Sequence, residues 1–484
     1  MLTNALATVV RELQSALGKR HVLWAPEDML GYEYDATIDR ARPDAVAFPA
    51  NAEEVAAVVR ITRRHDVPVV PRGSGTGLAG GALAARGGVL CVLTRMNRIL
   101  ELDPANRVAV VEPGVINLAL QDAAAAHGLL YAPDPSSQRI CTLGGNIATN
   151  AGGPHTLAHG STVNHVLGLE VVLPDGRITW LGGRQLDAPG PDLRGLFVGS
   201  EGTLGIVTKI CVRLVPVQAA VRTMLADFES VEAASEAVSA VIRRGVIPVA
   251  LEMMDHEIIA AVEHVLHIGY PLDAGAVLLI EVEGLRESVE ADAAQVVAAC
   301  REQGAREVRV AESEAERARL WEGRKAGIGA IGTVTPNFYL LDGVVPRTRL
   351  PEVMRGVAEL TARYGFRVAN IFHAGDGNLH PNIMFDELQP GATAKVLELG
   401  GEIMRLCVDA GGSITGEHGV GQEKRSYMEW IFGPEDLRAM ERVRLGFGAS
   451  ELFNPCKILP TGHGCGQAHA ADARRHLATP GVYL

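Results

Sequence analysis

Residues 71–82 read PRGSGTGLAGGA, five glycines in twelve positions, directly after the apolar run Val67-Pro68-Val69-Val70. A buried strand therefore feeds a segment whose amides can approach a ligand closely, because glycine has no Cβ and accepts positive φ. Successive N–H groups aimed one way form a nest for an anion, and a pyrophosphate suits it. The segment contains Gly75-x-Gly77-x-x-Gly80, the spacing of a nicotinamide-dinucleotide fingerprint. That fingerprint needs a helix opening inside the glycines and a βαβ unit. Here the next strand, Gly88 to Leu93, starts eight residues after Gly80, too soon for a crossover helix. A nicotinamide enzyme is disfavoured on that ground.

Two more glycine- and hydroxyl-rich segments follow: PDPSSQRICTLGGNIATNAGGPH at 133–155 and VGSEGTLGIVT at 198–208. Further on come HAGDGNLHPNI at 373–383, SITGEHGVG at 413–421 and FNPCKILP at 453–460. In order and spacing these stretches resemble the vanillyl-alcohol oxidase type of flavoprotein. Within it they are most similar to the 2-hydroxyacid branch: the FAD-bearing D subunits of bacterial glycolate oxidases, D-lactate dehydrogenases and D-2-hydroxyglutarate dehydrogenases. The resemblance implies an α+β chain with an FAD-binding domain over 1–217, a ferredoxin-like antiparallel-sheet cap over 218–415, and a segment over 416–484 that returns to the FAD domain. It implies that Pro71, Arg72, Gly73, Ser74, Gly75, Thr76 and Gly77 hold the pyrophosphate. Pro133, Asp134, Ser137, Thr142, Gly144, Gly145, Asn146, Ala148, Asn150 and Gly152 would line the isoalloxazine and ribityl chain. Glu201, Gly205, Ile206 and Val207 would lie near the adenine end, with Asn454 contributed by the return segment. Thr76 or its neighbour stands where some relatives attach FAD to histidine, so noncovalent FAD is expected.

Composition bounds the rest. A chain of 484 residues is too long for one core, and 47% hydrophobic with 21% charged residues is ordinary for a soluble globular protein. A net charge of −12 without a basic run argues against a nucleic-acid partner. No apolar stretch reaches the ~18 residues of a membrane span, and the start MLTNALATVVREL lacks the basic opening of an export signal, so a cytoplasmic protein is expected, membrane-associated at most through partners. The seven cysteines are scattered and include no C-x-x-C pair, which supports neither a disulfide framework nor an iron–sulfur cluster. The resemblance accordingly implies a second FAD-domain subunit and a separate iron–sulfur subunit as electron-transfer partners.

Along the chain, Leu6 to Leu17 reads as helix, and Asn51 with Glu54 as a capping pair for a helix burying Val55, Val58, Val59 and Thr62. A helix from Asn117 to His127 is stopped by Gly128, and Leu167 to Leu173 is a strand. After Pro216 strands are expected at Val221 to Phe228, Ala276 to Glu283, Arg306 to Ala311, Asn337 to Val345 and Arg367 to His373, with helices on one face of the sheet they form. A loosely ordered tail is expected after Gly462.

His373 and His380 bracket Gly375-Asp376-Gly377, which is hairpin-turn chemistry. Seven positions apart on one strand they would face opposite ways, but across a hairpin they become a facing pair. Glu417 is a third ligand candidate, giving a two-histidine, one-carboxylate set with open positions that suits a catalytic divalent ion such as zinc, manganese or iron. In extended backbone His418 would point away from Glu417 and face the substrate as proton acceptor. The resemblance makes Arg324 the substrate-carboxylate arginine; Asn378, inside the hairpin turn, is expected as a further polar contact to substrate or flavin. It also implies oxidation of a small 2-hydroxy acid, glycolate or D-lactate, by hydride transfer to flavin N5 in a glycolate oxidase-like complex. The apolar stretch Phe338 to Leu341 favours a monocarboxylate, because relatives that accept dicarboxylates carry a second basic group there. A stand-alone D-lactate dehydrogenase is the alternative, and a metal-dependent hydrolase is the alternative from another class. Two departures from the family stand out: Cys456 replaces a glycine, and Leu157-Ala158-His159-Gly160 replaces a Lys-Tyr-Gly stretch.

Overall fold

Helix Ala52–Arg64 starts as its sequence dictates, with Asn51 Oδ1 accepting the Glu54 N–H (2.9 Å) and the Glu54 carboxylate accepting the Ala50 N–H (2.8 Å). Its apolar face packs with helix Asn4–Leu17 over a four-stranded sheet in the order Val22–Leu23, Ala45–Ala47, Val89–Val92, Val69–Arg72. The structure is a computed structural model that describes residues 4–186, 189–449 and 451–460. The tail expected after Gly462 lies outside the described residues.

Strands Val69–Arg72 and Val89–Val92 are parallel neighbours, so the glycine segment itself is the crossover, a role usually given to a helix. The absence of a helix there agrees with the sequence spacing. A five-stranded antiparallel sheet follows, ordered Ile99–Asp103, Val108–Val111, Ile206–Arg213, Val166–Val172, Ile178–Gly182. Helix Asn117–Ala125 is two residues shorter than expected, and Gly128 ends the segment with φ 66°.

Beyond Pro216 one seven-stranded antiparallel sheet is ordered Glu307–Val310, Ala220–Phe228, Ala276–Gly284, Ala250–Asp255, Arg367–Phe372, Pro381–Phe385, Asn337–Leu340. Its helices cover both faces, which corrects the one-face expectation. Met224, Ala226 and Phe228 enter a core under helices Val231–Arg243, Arg286–Glu302, Leu350–Tyr364 and Ala392–Asp409. The alternate residue Leu225 enters a second core under His256–Leu266 and Glu314–Ile331. Leu278 and Ile280 divide from Val277 and Leu279 in the same way. A strand apolar on both sides of its pleat is one that is buried on both.

The strand expected at Asn337–Val345 breaks into Asn337–Leu340 and Gly343–Val344, and the second piece pairs with Asn378–Leu379. The break frees Asp342 from the ladder. After helix Ala392–Asp409 the chain returns to the first sheet: Val69 N donates to Leu452 O (2.9 Å) and Asn454 N to Val69 O (2.8 Å). Cys456 keeps the left-handed backbone that glycine would hold, at φ 63°, so the turn is preserved at the cost of strain. The other described cysteines are free and buried. Among the described residues no helix is long and apolar enough to cross a membrane.

Candidate functional site

The glycine segment, the helix Leu143–Thr149 and the loop before Ile206 surround a cavity of about 620 Å³ whose far end is closed by the second domain. Pro71, Arg72, Gly73, Ser74, Gly75, Thr76 and Gly77 line it, as do Ser137, Thr142, Gly144, Gly145, Asn146, Ala148, Glu201, Gly205, Ile206 and Val207. A Cβ on Gly75 would sit 2.2 Å from Arg72 Nη2, and Gly75 has φ +78°, so this wall admits only glycine without rearrangement. Arg72 Nη1, Ser74 Oγ and Ser200 Oγ are buried polar atoms without hydrogen-bond partners, which is the signature of a wall built for a polar guest.

Five of the residues expected around the flavin do not line this cavity. The Pro133 carbonyl accepts Asn117 Nδ2 (2.9 Å), Asp134 pairs with His155 Nδ1 (2.7 Å), and Asn150 Oδ1 accepts Val163 N (2.8 Å). Asn454 Nδ2 bonds the backbone oxygens of Glu201 and Gly81, and Gly152 lines a smaller cavity of about 180 Å³ behind Glu417. Glu201 does line the large cavity, but its two carboxylate oxygens accept Val420 N and Gly421 N, which fastens the return segment to it. His159 also stands off the cavity: Nε2 meets Glu283 Oε1 on the seven-stranded sheet at 3.1 Å, while His155 stacks on Trp321. The replaced Lys-Tyr-Gly stretch is thus part of the seam between the domains.

At the closed end, His373, His380 and Glu417 converge with ligand atoms all within 4.8 Å of one another. Glu417 Oε1 lies 3.1 Å from His373 Nε2 and 3.4 Å from His380 Nε2. The register differs from the expected facing pair. His373 bridges to Asn378 and Asn370 pairs with Pro381, so His380 is diagonal to His373 and the rings meet edge-on with centroids 5.2 Å apart. His380 Nε2 and Glu417 Oε2 have no hydrogen-bond partner despite being buried. Two imidazole nitrogens and a carboxylate left open in this way fit a divalent cation.

Two acids that the sequence reading missed organise this cluster. Glu252, fully buried in strand Ala250–Asp255, accepts His373 Nδ1 on both oxygens at 2.9 Å and fixes which ring nitrogen faces Glu417. Burial alone would lower the His373 pKa, but Glu252 and then Glu417 raise it well above the ordinary imidazole value. Glu417 is pushed down to about 2, where burial is overcome by His373, His380 and His418. Asp342, freed by the strand break, accepts Thr415 Oγ1, Gly416 N (3.1 Å), His418 N (3.0 Å) and Lys424 Nζ (2.9 Å). The backbone at 416–418 therefore bends around a carboxylate where extended chain was expected, and Glu417 and His418 line the same cavity. An acid inside an otherwise apolar strand, as in LEMMD and YLLDGVV, is the signal that marks both residues.

His418 stacks on His380 with centroids 4.9 Å apart, and its Nδ1 is buried without a hydrogen-bond partner 3.9 Å from Asp342. Burial, opposed by Asp342 and reinforced by His380 and Lys424, pushes its pKa down to about 4. Arg324 does not line the large cavity; it is buried and ion-paired with Glu252, which in turn holds His373. Asn378 lines only the smaller cavity, with Oδ1 unpartnered.

A glycine-walled cavity between an α+β domain and an antiparallel cap defines a two-domain flavin oxidoreductase. Residues 43–182 match the family of the FAD binding domain and residues 217–458 that of the FAD linked oxidases, C-terminal domain. The chain belongs to the FAD-linked oxidases and binds FAD. It is 46% identical over 475 residues to glycolate oxidase subunit GlcD of Escherichia coli strain K12, covering 98% of this chain and 95% of that protein. It is 36% identical over 466 residues to a D-lactate dehydrogenase of Anaerostipes hadrus, covering 94% and 98%. Among solved structures, substrate-bound p-cresol methylhydroxylase superposes with a TM-score of 0.80 at 17% identity, covering 95% of this chain and 97% of that one. The vanillyl-alcohol oxidase type of fold expected from the sequence is borne out.

Proposed function

We propose that this chain oxidises a small 2-hydroxy acid, glycolate or D-lactate, to the 2-oxo acid. The observation that carries this reading is the convergence of His373, His380, Glu417 and His418 at one end of the cavity that the glycine segments wall. Bound FAD supplies the acceptor for the hydride that leaves Cα. A divalent cation would be held by His373 Nε2, His380 Nε2 and Glu417, and would make the substrate hydroxyl more acidic, as such ions do for bound water. His418, neutral at physiological pH, takes the hydroxyl proton, and the Asp342 carboxylate 3.9 Å from Nδ1 balances the charge it gains. Glu252, held by Arg324, keeps the His373 ring aimed at Glu417. Ile328, Phe338 and Leu340 wall the same end, exclude water and offer nothing to a second carboxylate.

The domain division at about 217 and 415 assigns the flavin to the first and last segments and the substrate to the cap. Because the Escherichia coli relative is named as a subunit, this chain is read as passing electrons to a second FAD-domain subunit and an iron–sulfur subunit. A stand-alone D-lactate dehydrogenase is the second reading, favoured by the Anaerostipes relative. A hydrolase would leave the glycine-walled cavity without a use.

Anaerobic mixing of the yellow holoprotein with glycolate, D-lactate, L-lactate and D-2-hydroxyglutarate tests the proposal. Flavin bleaching by a short 2-hydroxy acid is the expected result, and His418→Gln should slow it about 100-fold or more while retaining FAD. A flavin that no hydroxy acid reduces sinks the function, and fast bleaching in His418→Gln removes that residue as base.

A further inference from the structure

We propose that the smaller cavity behind Glu417 is a binding site for a bridging water, and that Thr156, through that water, is a positioning residue for the Glu417 carboxylate. The proposal rests on reading His373, His380 and Glu417 as cation ligands, and it names what holds the third of them in place.

The cavity, of about 180 Å³, lies where the three parts of the chain meet. Gly152 and Thr156 come from the first domain, Asp376 and Asn378 from the cap, and Glu417 from the return segment. Glu417 presents its two oxygens to different surroundings. Oε1 lies 3.1 Å from His373 Nε2 and 3.4 Å from His380 Nε2, whereas Oε2 is buried without a hydrogen-bond partner. Thr156 Oγ1 and Asn378 Oδ1 are buried and unpartnered as well, and Asn378 as a whole is only 5% exposed. Buried polar atoms are nearly always paired, with protein or with ordered water, so three orphans on one small cavity point to a shared guest.

Gly152 locates that guest. A Cβ built there would sit 2.7 Å from Thr156 Oγ1 and 3.0 Å from Glu417 Oε2. Both are hydrogen-bond lengths between oxygens, and both are too short for carbon. Thr156 Oγ1 and Glu417 Oε2 make no direct bond with each other. The space that glycine leaves therefore fits a water that accepts the Thr156 hydroxyl and donates to Glu417 Oε2. Its second hydrogen has Asn378 Oδ1 as an acceptor in the same cavity. Volume and polarity suit it, since a water occupies about 30 Å³ in the liquid and keeps about three hydrogen bonds when buried. Asp376 spends Oδ1 on the Asn378 N–H at 3.1 Å. A second cation here would be repelled by the one on the far side of the same carboxylate, which favours a neutral guest. Anchored through Oε2, the carboxylate cannot rotate Oε1 away from the imidazoles. Partners of this outer kind typically change metal affinity about 10–100-fold.

Crystals of the native holoprotein should show a solvent peak within about 3 Å of both Glu417 Oε2 and Thr156 Oγ1. Metal-stripped, FAD-loaded protein titrated with zinc against a chromophoric chelator reads the positioning role. Thr156→Val should weaken zinc binding about tenfold, while Thr156→Ser keeps the hydroxyl and should bind as native protein does. Gly152 has no left-handed φ, so Gly152→Ala puts a methyl group where the water would lie and should weaken zinc binding similarly. An unchanged ratio of flavin to protein absorbance in these variants separates lost positioning from misfolding. Zinc affinity within about twofold of native in Thr156→Val and Gly152→Ala overturns the positioning role. A missing solvent peak overturns the site, as does a peak ringed by oxygens at about 2.3–2.6 Å, the signature of a hard cation. If native protein takes up no zinc, yet the peak is present and is lost in Thr156→Val, the cation reading falls and the water site stands.

Discussion

The two ends of the cavity are built on opposite principles. The flavin end is made of backbone: glycines at 73, 75 and 77, left-handed φ at Gly75, and buried hydroxyl and guanidinium atoms waiting for a partner. The substrate end is made of charges that answer one another, Arg324 to Glu252, Glu252 to His373, His373 to Glu417, and Lys424 to Asp342. The first is limited by space and φ, since an added Cβ at Gly73 or Gly75 collides with its neighbours; the second is limited by charge, because every member left alone is a buried charge without a countercharge.

Breaking the charged end should have the largest effect. Asp342→Leu strands Lys424 and releases the backbone at 416–418, and removing one partner of a buried pair typically costs about 3–5 kcal/mol. The denaturation midpoint should fall accordingly, and a midpoint equal to the native one would mean that the network contributes no more than a surface pair. Gly75→Val attacks the other end. It forces a β-branched residue to φ +78° beside Arg72, a strain of about 1–3 kcal/mol, so FAD affinity should fall about tenfold. The ratio of flavin to protein absorbance reads this out, and a fully yellow variant would show that the wall is less tight than its geometry.

The smallest effect concerns the seam between the two ends, where His155 of the first domain stacks on Trp321 of the second. Burial disfavours its charged form, but Asp134 at 2.7 Å, with Glu281 and Glu283 beyond, wins and raises the pKa to about 9. A raised folded pKa stabilises below the unfolded value of about 6.5 and is lost as pH climbs through about 9. Melting temperature should therefore decline between pH 7 and pH 9.5 by an amount of order 1 kcal/mol in stability, and His155→Asn should flatten that decline. Parallel pH profiles for the two proteins would exclude the seam as its source.

The same contrast explains what could be read in the sequence. Glycine segments announce themselves, because a backbone that must approach a ligand can use few other residues, and most of the expected cofactor residues line the cavity. Asn51 with Glu54 and the strand at Val221 to Phe228 are legible for the same local reason. Side-chain charge networks are not local. Glu252 and Asp342 matter through partners more than 70 positions away, and only their presence in apolar strands hints at it. The diagonal placement of His380 and the inward turn of Arg324 each depend on register or helical phase, which one residue decides. Pro133, Asp134, Asn150 and Asn454 stand off the cavity and use hydrogen bonds to hold loops together, long-range pairings that the local sequence does not display.

The hydrogen bonds between Val69 and the 452–454 segment carry a consequence for biosynthesis. The edge of the first sheet, beside the glycine segment, is completed by residues that are synthesised after the whole cap. During translation the cap emerges and can collapse while the nucleotide half still has an open edge. A nascent chain halted before Phe453 would carry the cap's strands and helices while the berth beside the glycine segment still had an open edge.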